Sequence, residues 1–193
     1  MNINSKYYTD NADIFIEGTI KCDMSLQYKF FEKHLKDNAK LILDLGFGSG
    51  RDSLHFSQNY NVYAIDPVEE FCSRAKQLGL ENVFCMSAQD INFMNMFDGI
   101  WACASLLHVP SFELQEVFKK CCNALKDDGV MYCSFKYGEY EGERNGRYFT
   151  DLNEQKLKDI LKNTNLNIIE ICITEDVRPD RNEEWLNVIL KKF

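Results

Sequence analysis

The sequence predicts an α/β fold, a three-layer sandwich on a seven-stranded, mostly parallel sheet with an antiparallel C-terminal hairpin strand. Three observations carry this expectation. An apolar run at 41–45 passes directly into glycines at alternate positions, Gly46, Gly48 and Gly50, and then into a stretch with no Gly or Pro, the pattern of strand, tight turn and helix. Short apolar runs alternate with helical patterns as far as residue 135, which implies parallel strands joined by crossover helices. The last two apolar runs have no helix between them, so they must pair antiparallel.

In chain order, residues 1–20 are polar and aromatic together, with Tyr7 and Tyr8 adjacent. Met24, Tyr28, Phe31 and Leu35 recur at helical spacing and predict an amphipathic helix ending near Asn38. The first strand and glycine turn follow. Asn61 to Asp66 reads as a second strand, after which Pro67 and the acids Glu69 and Glu70 open a helix at its positive end. Val83 to Met86 is a third strand and the run from Phe97 a fourth. Ser111 is placed to cap a helix with Leu114, Val117, Phe118, Cys121 and Leu125 on one face, stopped at Asp127-Asp128-Gly129. Val130 to Phe135 is a fifth strand. From 137 to 149, Gly138, Gly142 and Gly146 stand among Tyr140, Arg144, Arg147 and Tyr148, and a long mobile loop is expected. Thr150 is expected to cap the last helix, and 166–174 and 185–191 form the closing hairpin. The 193 residues are read as one domain, with 1–40 as an N-terminal lid and covering helix and 41–193 as the core.

The glycine turn points to a nucleotide. Its bare backbone lets a ligand approach, and the free N–H groups of the next helix favour an anionic group. The dinucleotide pattern G-x-G-x-x-G is not met, because Arg51 stands at the third glycine position. Asp44, inside the apolar strand, is costly unless it is paired, and the ammonium of a bound amino acid would pair it. Asp66, with Pro67 beside it, stands where an acid accepts hydrogen bonds from a ribose diol; capping the next helix demands the same residue type.

The stretch Asp44-Leu45-Gly46-Phe47-Gly48-Ser49-Gly50 resembles the D/E-x-G-x-G-x-G motif of the class I S-adenosylmethionine (SAM) dependent methyltransferases, and the order of elements is similar to their Rossmann-like core over nearly the whole chain. The resemblance implies SAM as cofactor, S-adenosyl-L-homocysteine as product and no metal. It implies that Gly46, Phe47, Gly48 and Gly50 border the cofactor, that Tyr8 covers it from the lid unless the tyrosines are plain packing aromatics, and that Ser87, Ala88 and Gln89 approach the adenine. Cys103 and Ala104 would lie by the methyl donor. His108 would stand at the pocket's edge, either as a general base or as a buried histidine that orders the loop. Arg51 would pair with the methionine carboxylate or with a neighbouring acid such as Asp52. Phe97 to Pro110, Arg147 to Asp151, and Asp176 to Pro179 with Trp185 to Val188 resemble a small bacterial subgroup near the tellurite-resistance methyltransferases. A fainter likeness links the chain to methyltransferases of modified tRNA wobble uridines.

An activated sulfonium methyl needs positioning more than a nucleophile, so no Ser-His-Asp or Cys-His signature is expected and none is found. The acceptor is expected to be a small molecule, selected by Tyr137, Arg147, Phe149 and Arg178 at the rim. A tRNA or protein acceptor, and a non-catalytic SAM-binding module, are the alternatives. The net charge of −8 disfavours nucleic acid. No apolar run approaches a membrane span, and the polar N-terminus lacks the regions of a signal peptide, so a cytoplasmic protein is expected. The eight cysteines contain no C-x-x-C pair and only three histidines accompany them, so they are read as small buried hydrophobes in a reducing compartment rather than as a metal site.

Overall fold

A computed structural model describes residues 2–179 and 181–193. The central sheet contains β1 (Leu41–Leu45), β2 (Asn61–Asp66), β3 (Asn82–Cys85), β4 (Phe97–Ala102), β5 (Leu125–Lys136), β8 (Leu166–Glu175) and β9 (Glu184–Lys192), in the order β3-β2-β1-β4-β5-β9-β8. The pairs β1/β2, β1/β4, β2/β3 and β4/β5 are parallel, and β9 runs antiparallel to β5 and β8. The predicted seven-stranded sandwich is therefore observed. The chain direction switches sides between β1 and β4, which opens a crevice at the carboxyl ends of those strands.

Alternation along each strand sends side chains to two helical layers. On one face Ile42, Val62, Trp101, Tyr132 and Ile189 meet Met24, Tyr28 and Phe31 around α3 (Ser25–Glu32) and Phe56 of α4 (Arg51–Phe56), while Ala64 meets Phe71, Cys72 and Ala75 of α5 (Glu69–Gln77). On the other face Leu43, Ile65, Ile100, Met131, Cys133 and Val188 pack on α6 (Ser111–Ala124) and α7 (Glu154–Ile160). Two further helices, α1 (Ile3–Asp10) and α2 (Ala12–Thr19), precede these layers.

Several local expectations are corrected. Most of the segment expected as a mobile loop is a second, two-stranded sheet, β6 (Glu141–Arg144) and β7 (Arg147–Thr150). Asn145 and Gly146 both take positive φ, 52° and 74°, as the tight turn of a twisted hairpin requires. Thr150 does not cap α7; its hydroxyl donates to the Val109 carbonyl at 2.8 Å, and Asn153 caps by accepting from the Lys156 N–H at 2.9 Å. Ser111 is the first residue of α6 rather than its cap, and its N–H donates to Glu141 Oε1 at 2.8 Å. The helix ends at Ala124, because β5 already begins at Leu125 opposite Phe97 and absorbs an irregularity before Val130 pairs with Gly99. Cys85 and Cys172 are exposed and Cys22 and Cys103 are half-buried, contrary to the reading of all eight as buried. Cys85 and Cys172 lie on β3 and β8, the sheet's two edge strands, where no further strand covers them.

Candidate active site

A cavity of about 250 Å³ lies at the carboxyl edge, over the crevice between β1 and β4. Its floor is the glycine turn. Gly46, Gly48 and Gly50 have φ of 80°, 52° and 82°, a region costly for side chains. The chain's own packing also demands them, since a Cβ on Gly46 would lie 2.4 Å from Ser105 Cβ and one on Gly48 would lie 2.9 Å from the Phe15 ring. Gly46, Phe47 and Gly48 line the cavity; Gly50 lies beyond its lining, as the left-handed residue that starts α4.

Asp66 at the tip of β2 accepts from the Gly48 N–H at 3.0 Å and the Val68 N–H at 2.9 Å, and so braces the turn and the start of α5 together. Burial pushes its carboxyl up to about 6 against the pull of those two donors. Asp66 and Pro67 line the cavity, as do Ser87, Ala88 and Gln89 after β3 and Cys103 and Ala104 after β4. Ala104 has φ of 51°, a left-handed conformation that is strained for alanine; its N–H donates to Ser134 Oγ at 2.8 Å. The Ser105 hydroxyl beside it is buried without a partner among the described residues.

Asp44 lies beneath the turn, outside the cavity lining, and accepts from Ser53 Oγ at 2.6 Å. Burial and the nearby charge of Asp52 raise its carboxyl well above the usual range. The charged acid of this region is Asp52, which sequence reading placed only as a partner for Arg51. Burial works against its charge, yet the Arg51 guanidinium and the Tyr28 and Trp101 donors hold it below its ordinary range. Arg51 Nε and Nη2 reach its two oxygens at 2.6 and 2.9 Å, the Tyr28 hydroxyl at 2.6 Å and Trp101 Nε1 at 2.9 Å. Arg51 Nη1 also donates to the Thr19 carbonyl at 3.2 Å. This arginine therefore has a structural pairing and also lines the cavity.

Helix α1 borders the site through Asn4, Ser5 and Tyr8. Asn4 on α1 accepts from the Tyr148 N–H at 2.7 Å and donates to the His108 and Tyr148 carbonyls at 3.2 and 3.3 Å, which ties α1 to β7. Tyr8 lines the cavity, and its hydroxyl lies 2.8 Å from His108 Nε2. His108 Nδ1 lies 2.8 Å from the Tyr148 carbonyl, which can only accept; Nδ1 thus carries the proton and Nε2 receives the Tyr8 O–H. Burial lowers His108 to about 4, so the ring is neutral, and burial raises the Tyr8 phenol above its usual value.

Of the expected rim residues, Arg147, Phe149 and Arg178 line the cavity. Tyr137 does not, because its hydroxyl turns to Glu154 on α7 at 3.1 Å. Sequence reading missed Gln27, Tyr132, Ser134, Lys136, Trp185 and Asn187, all in the lining. The Tyr132 hydroxyl donates to Asn187 Oδ1 at 2.7 Å, joining β5 to β9 inside the cavity wall. The available signal was polarity in apolar strands: Ser134 and Asn187 are 2% and 3% exposed, and such groups must be satisfied.

No group of His, Cys, Asp and Glu suited to a metal occurs among the described residues. Nor is any described helix long and apolar enough to cross a membrane.

Residues 42–129 match the family model of the methyltransferase domain. No curated protein matches the chain by sequence. Among solved structures, the chain is similar to the 1,6-didemethyltoxoflavin-N1-methyltransferase of Burkholderia thailandensis, solved with 1,6-didemethyltoxoflavin and S-adenosylhomocysteine bound: TM-score 0.81, 19% identity, covering 98% of this chain and 87% of that one. A SAM-dependent methyltransferase of Methanosarcina mazei gives 0.72 at 20% identity, covering 84% and 96%. The [4+2]-cyclase SpnF gives 0.76 at 13% identity, covering 98% and 94%, so the shared architecture does not by itself fix a reaction. Residues 42–129 thus match a methyltransferase domain, and the chain as a whole is similar in fold to solved SAM-dependent methyltransferases.

Proposed function

We propose that the protein transfers the methyl group of SAM to a small-molecule acceptor. The observation that carries the reading is the buried Asp66 carboxylate, bonded to the N–H of Gly48 at the mouth of the switch-point crevice, where open α/β folds take nucleotides. The residues present suit the cofactor: Asp66 for the ribose hydroxyls, Ser87, Ala88 and Gln89 beside the adenine, the 46–48 backbone and Arg51 for the methionine end. Cys103 and Ala104, small and next to the turn, leave room for the methyl group. Bound there, SAM supplies an activated methyl for in-line displacement.

The protein's own contribution is to position the two molecules and to remove a proton. His108 acts through Tyr8 in this reading. The Tyr8 oxygen takes the proton from an N–H or O–H acceptor as its own proton passes to His108 Nε2, and the proton then leaves to solvent. The lid and the β6–β7 hairpin keep water out, and Arg147, Phe149 and Arg178 shape the acceptor side. A small acceptor is supported by the net charge of −8, which disfavours nucleic acid, and by the small molecule bound in the Burkholderia thailandensis neighbour.

Calorimetric titration with SAM and S-adenosylhomocysteine, with NAD as control, tests the proposal. Saturation by the SAM pair at 100 times Kd would stabilise the fold by about 2.7 kcal/mol. Binding of NAD alone, or of neither, would overturn the reading. With an acceptor in hand, Tyr8→Phe is expected to lower kcat by about 10²-fold or more for a neutral acid and far less for a preformed anion.

A further inference from the structure

Five cationic side chains line the cavity, and four are neutralised: Arg51 by Asp52, Lys136 by Glu183, Arg178 by Asp176 and, at 3.8 Å, Arg181 by Glu183. Arg147 differs. Among the described residues no carboxylate lies within ion-pair reach of it, its Nε is buried with no hydrogen-bond partner, and Nη1 makes a single 3.3 Å bond to the Tyr8 hydroxyl. Its register partner across the hairpin, Arg144, is held by both oxygens of Asp151 at 2.7 and 2.6 Å. The same hairpin thus satisfies one arginine and leaves the other open.

Stacking fixes the open one in place. The Arg147 guanidinium lies 4.6 Å from the Tyr7 ring centroid and 5.0 Å from that of Phe149, so its faces are covered by aromatic rings. What it still offers is its N–H edge, a fork that matches the two oxygens of a carboxylate. Enclosing such donors without an acceptor is costly, and a bound oxyanion would offset that cost.

Resting on the proposed function, we infer that Arg147 receives an oxyanion carried by the methyl acceptor, so that the acceptor is a small acid with its methylated atom beside Tyr8. The methionine carboxylate of the cofactor has the same chemistry. It is assigned to Arg51, which opens the helix after the glycine turn, whereas Arg147 stands on the hairpin beside the Tyr8–His108 pair.

The test uses the full chain saturated with S-adenosylhomocysteine and the probes benzoate and acetate, with benzamide and acetamide as uncharged controls. Melting temperature is followed as each probe is added, and S-adenosylhomocysteine affinity is measured separately by calorimetry. The acids are expected to stabilise and the amides not. Arg147→Gln is expected to weaken acid binding about 10-fold or more while S-adenosylhomocysteine affinity stays unchanged, and Arg147→Lys, which keeps charge and loses the fork, is expected to fall between. Acids that bind no better than their amides would overturn the inference. An Arg147→Gln loss that falls on S-adenosylhomocysteine would instead assign the arginine to the cofactor's carboxylate. Failure of the wild-type protein to bind S-adenosylhomocysteine would sink the proposed function first, before any acid is added.

Discussion

The pH dependence of cofactor affinity should follow Asp66. Its carboxyl is raised from 3.8 to about 6, chiefly by burial, a displacement equivalent to ~3 kcal/mol of disfavoured charge. Because the folded chain binds this proton more tightly than the unfolded chain, the contribution of Asp66 to stability falls as pH rises from 3.8 through about 6. Ribose hydroxyls that donate to the carboxylate act in the opposite sense: they favour the charged form and pull its pKa back down. Affinity for S-adenosylhomocysteine should therefore be level above pH ~7 and fall about tenfold for each pH unit below ~6. His108, lowered to about 4, titrates below this window and does not confuse the reading. Calorimetric titrations from pH ~5 to ~8 make the measurement. Asp66→Asn removes the titration and one of the two backbone bonds, and should give a weak, nearly level profile, ~10- to 100-fold below wild type at pH ~7. A wild-type affinity that does not change between pH ~5 and ~7 would show that no ligand group leans on this carboxylate.

Other expectations concern the scaffold. Gly46→Ala and Gly79→Ala both place alanine at positive φ, 80° and 87°, but only the first meets a neighbour, Ser105 Cβ at 2.4 Å, while Gly79 has nothing within 4 Å. Gly79→Ala should cost ~1–2 kcal/mol and Gly46→Ala a further ~1–3 kcal/mol in urea denaturation; equal losses would mean that Ser105 yields freely. Asp52→Ala strands Arg51, whose side chain is only 18% exposed, and should cost ~3–5 kcal/mol; a loss under ~1 kcal/mol would mark the cluster as ornamental. Asn4→Ala removes two bonds from α1 to the hairpin and a third to the His108 carbonyl and should speed amide exchange in α1 while β1 and β4 keep their protection. Uniform loss of protection would place Asn4 in the global core instead.

The sheet was legible because strand periodicity and the glycine turn are local signals, and the order of strands follows from the crossovers between them. The β6–β7 hairpin was not, although Asn145-Gly146 is a strong hairpin dipeptide; three glycines and several charges nearby outweighed it, since the flanking strands are only four residues each. Within the site, Asp66 and the residues after β3 and β4 were legible as strand-tip positions. Asp44 was legible as a buried acid in need of a partner, and Ser53 on α4 supplies one hydrogen bond to it, a contact from another element that the strand pattern does not reveal. Gln27, Tyr132 and Asn187 come from elements far apart in sequence, and only the packing of α3 on β5 and β9 brings them to one wall.

The grip of Asn4 on β7 is made to the main chain of Tyr148 and not to its side chain. Any residue but proline at 148 offers the same N–H and carbonyl. Helix α1 is thus held at two levels, through this backbone and through the Arg147 side chain, which stacks on Tyr7 and bonds the Tyr8 hydroxyl. Substitutions at 149 can redraw the acceptor wall in small steps while α1 stays tied to β7 through the backbone. A site built this way can diverge toward new acceptors without first surviving the loss of its cover.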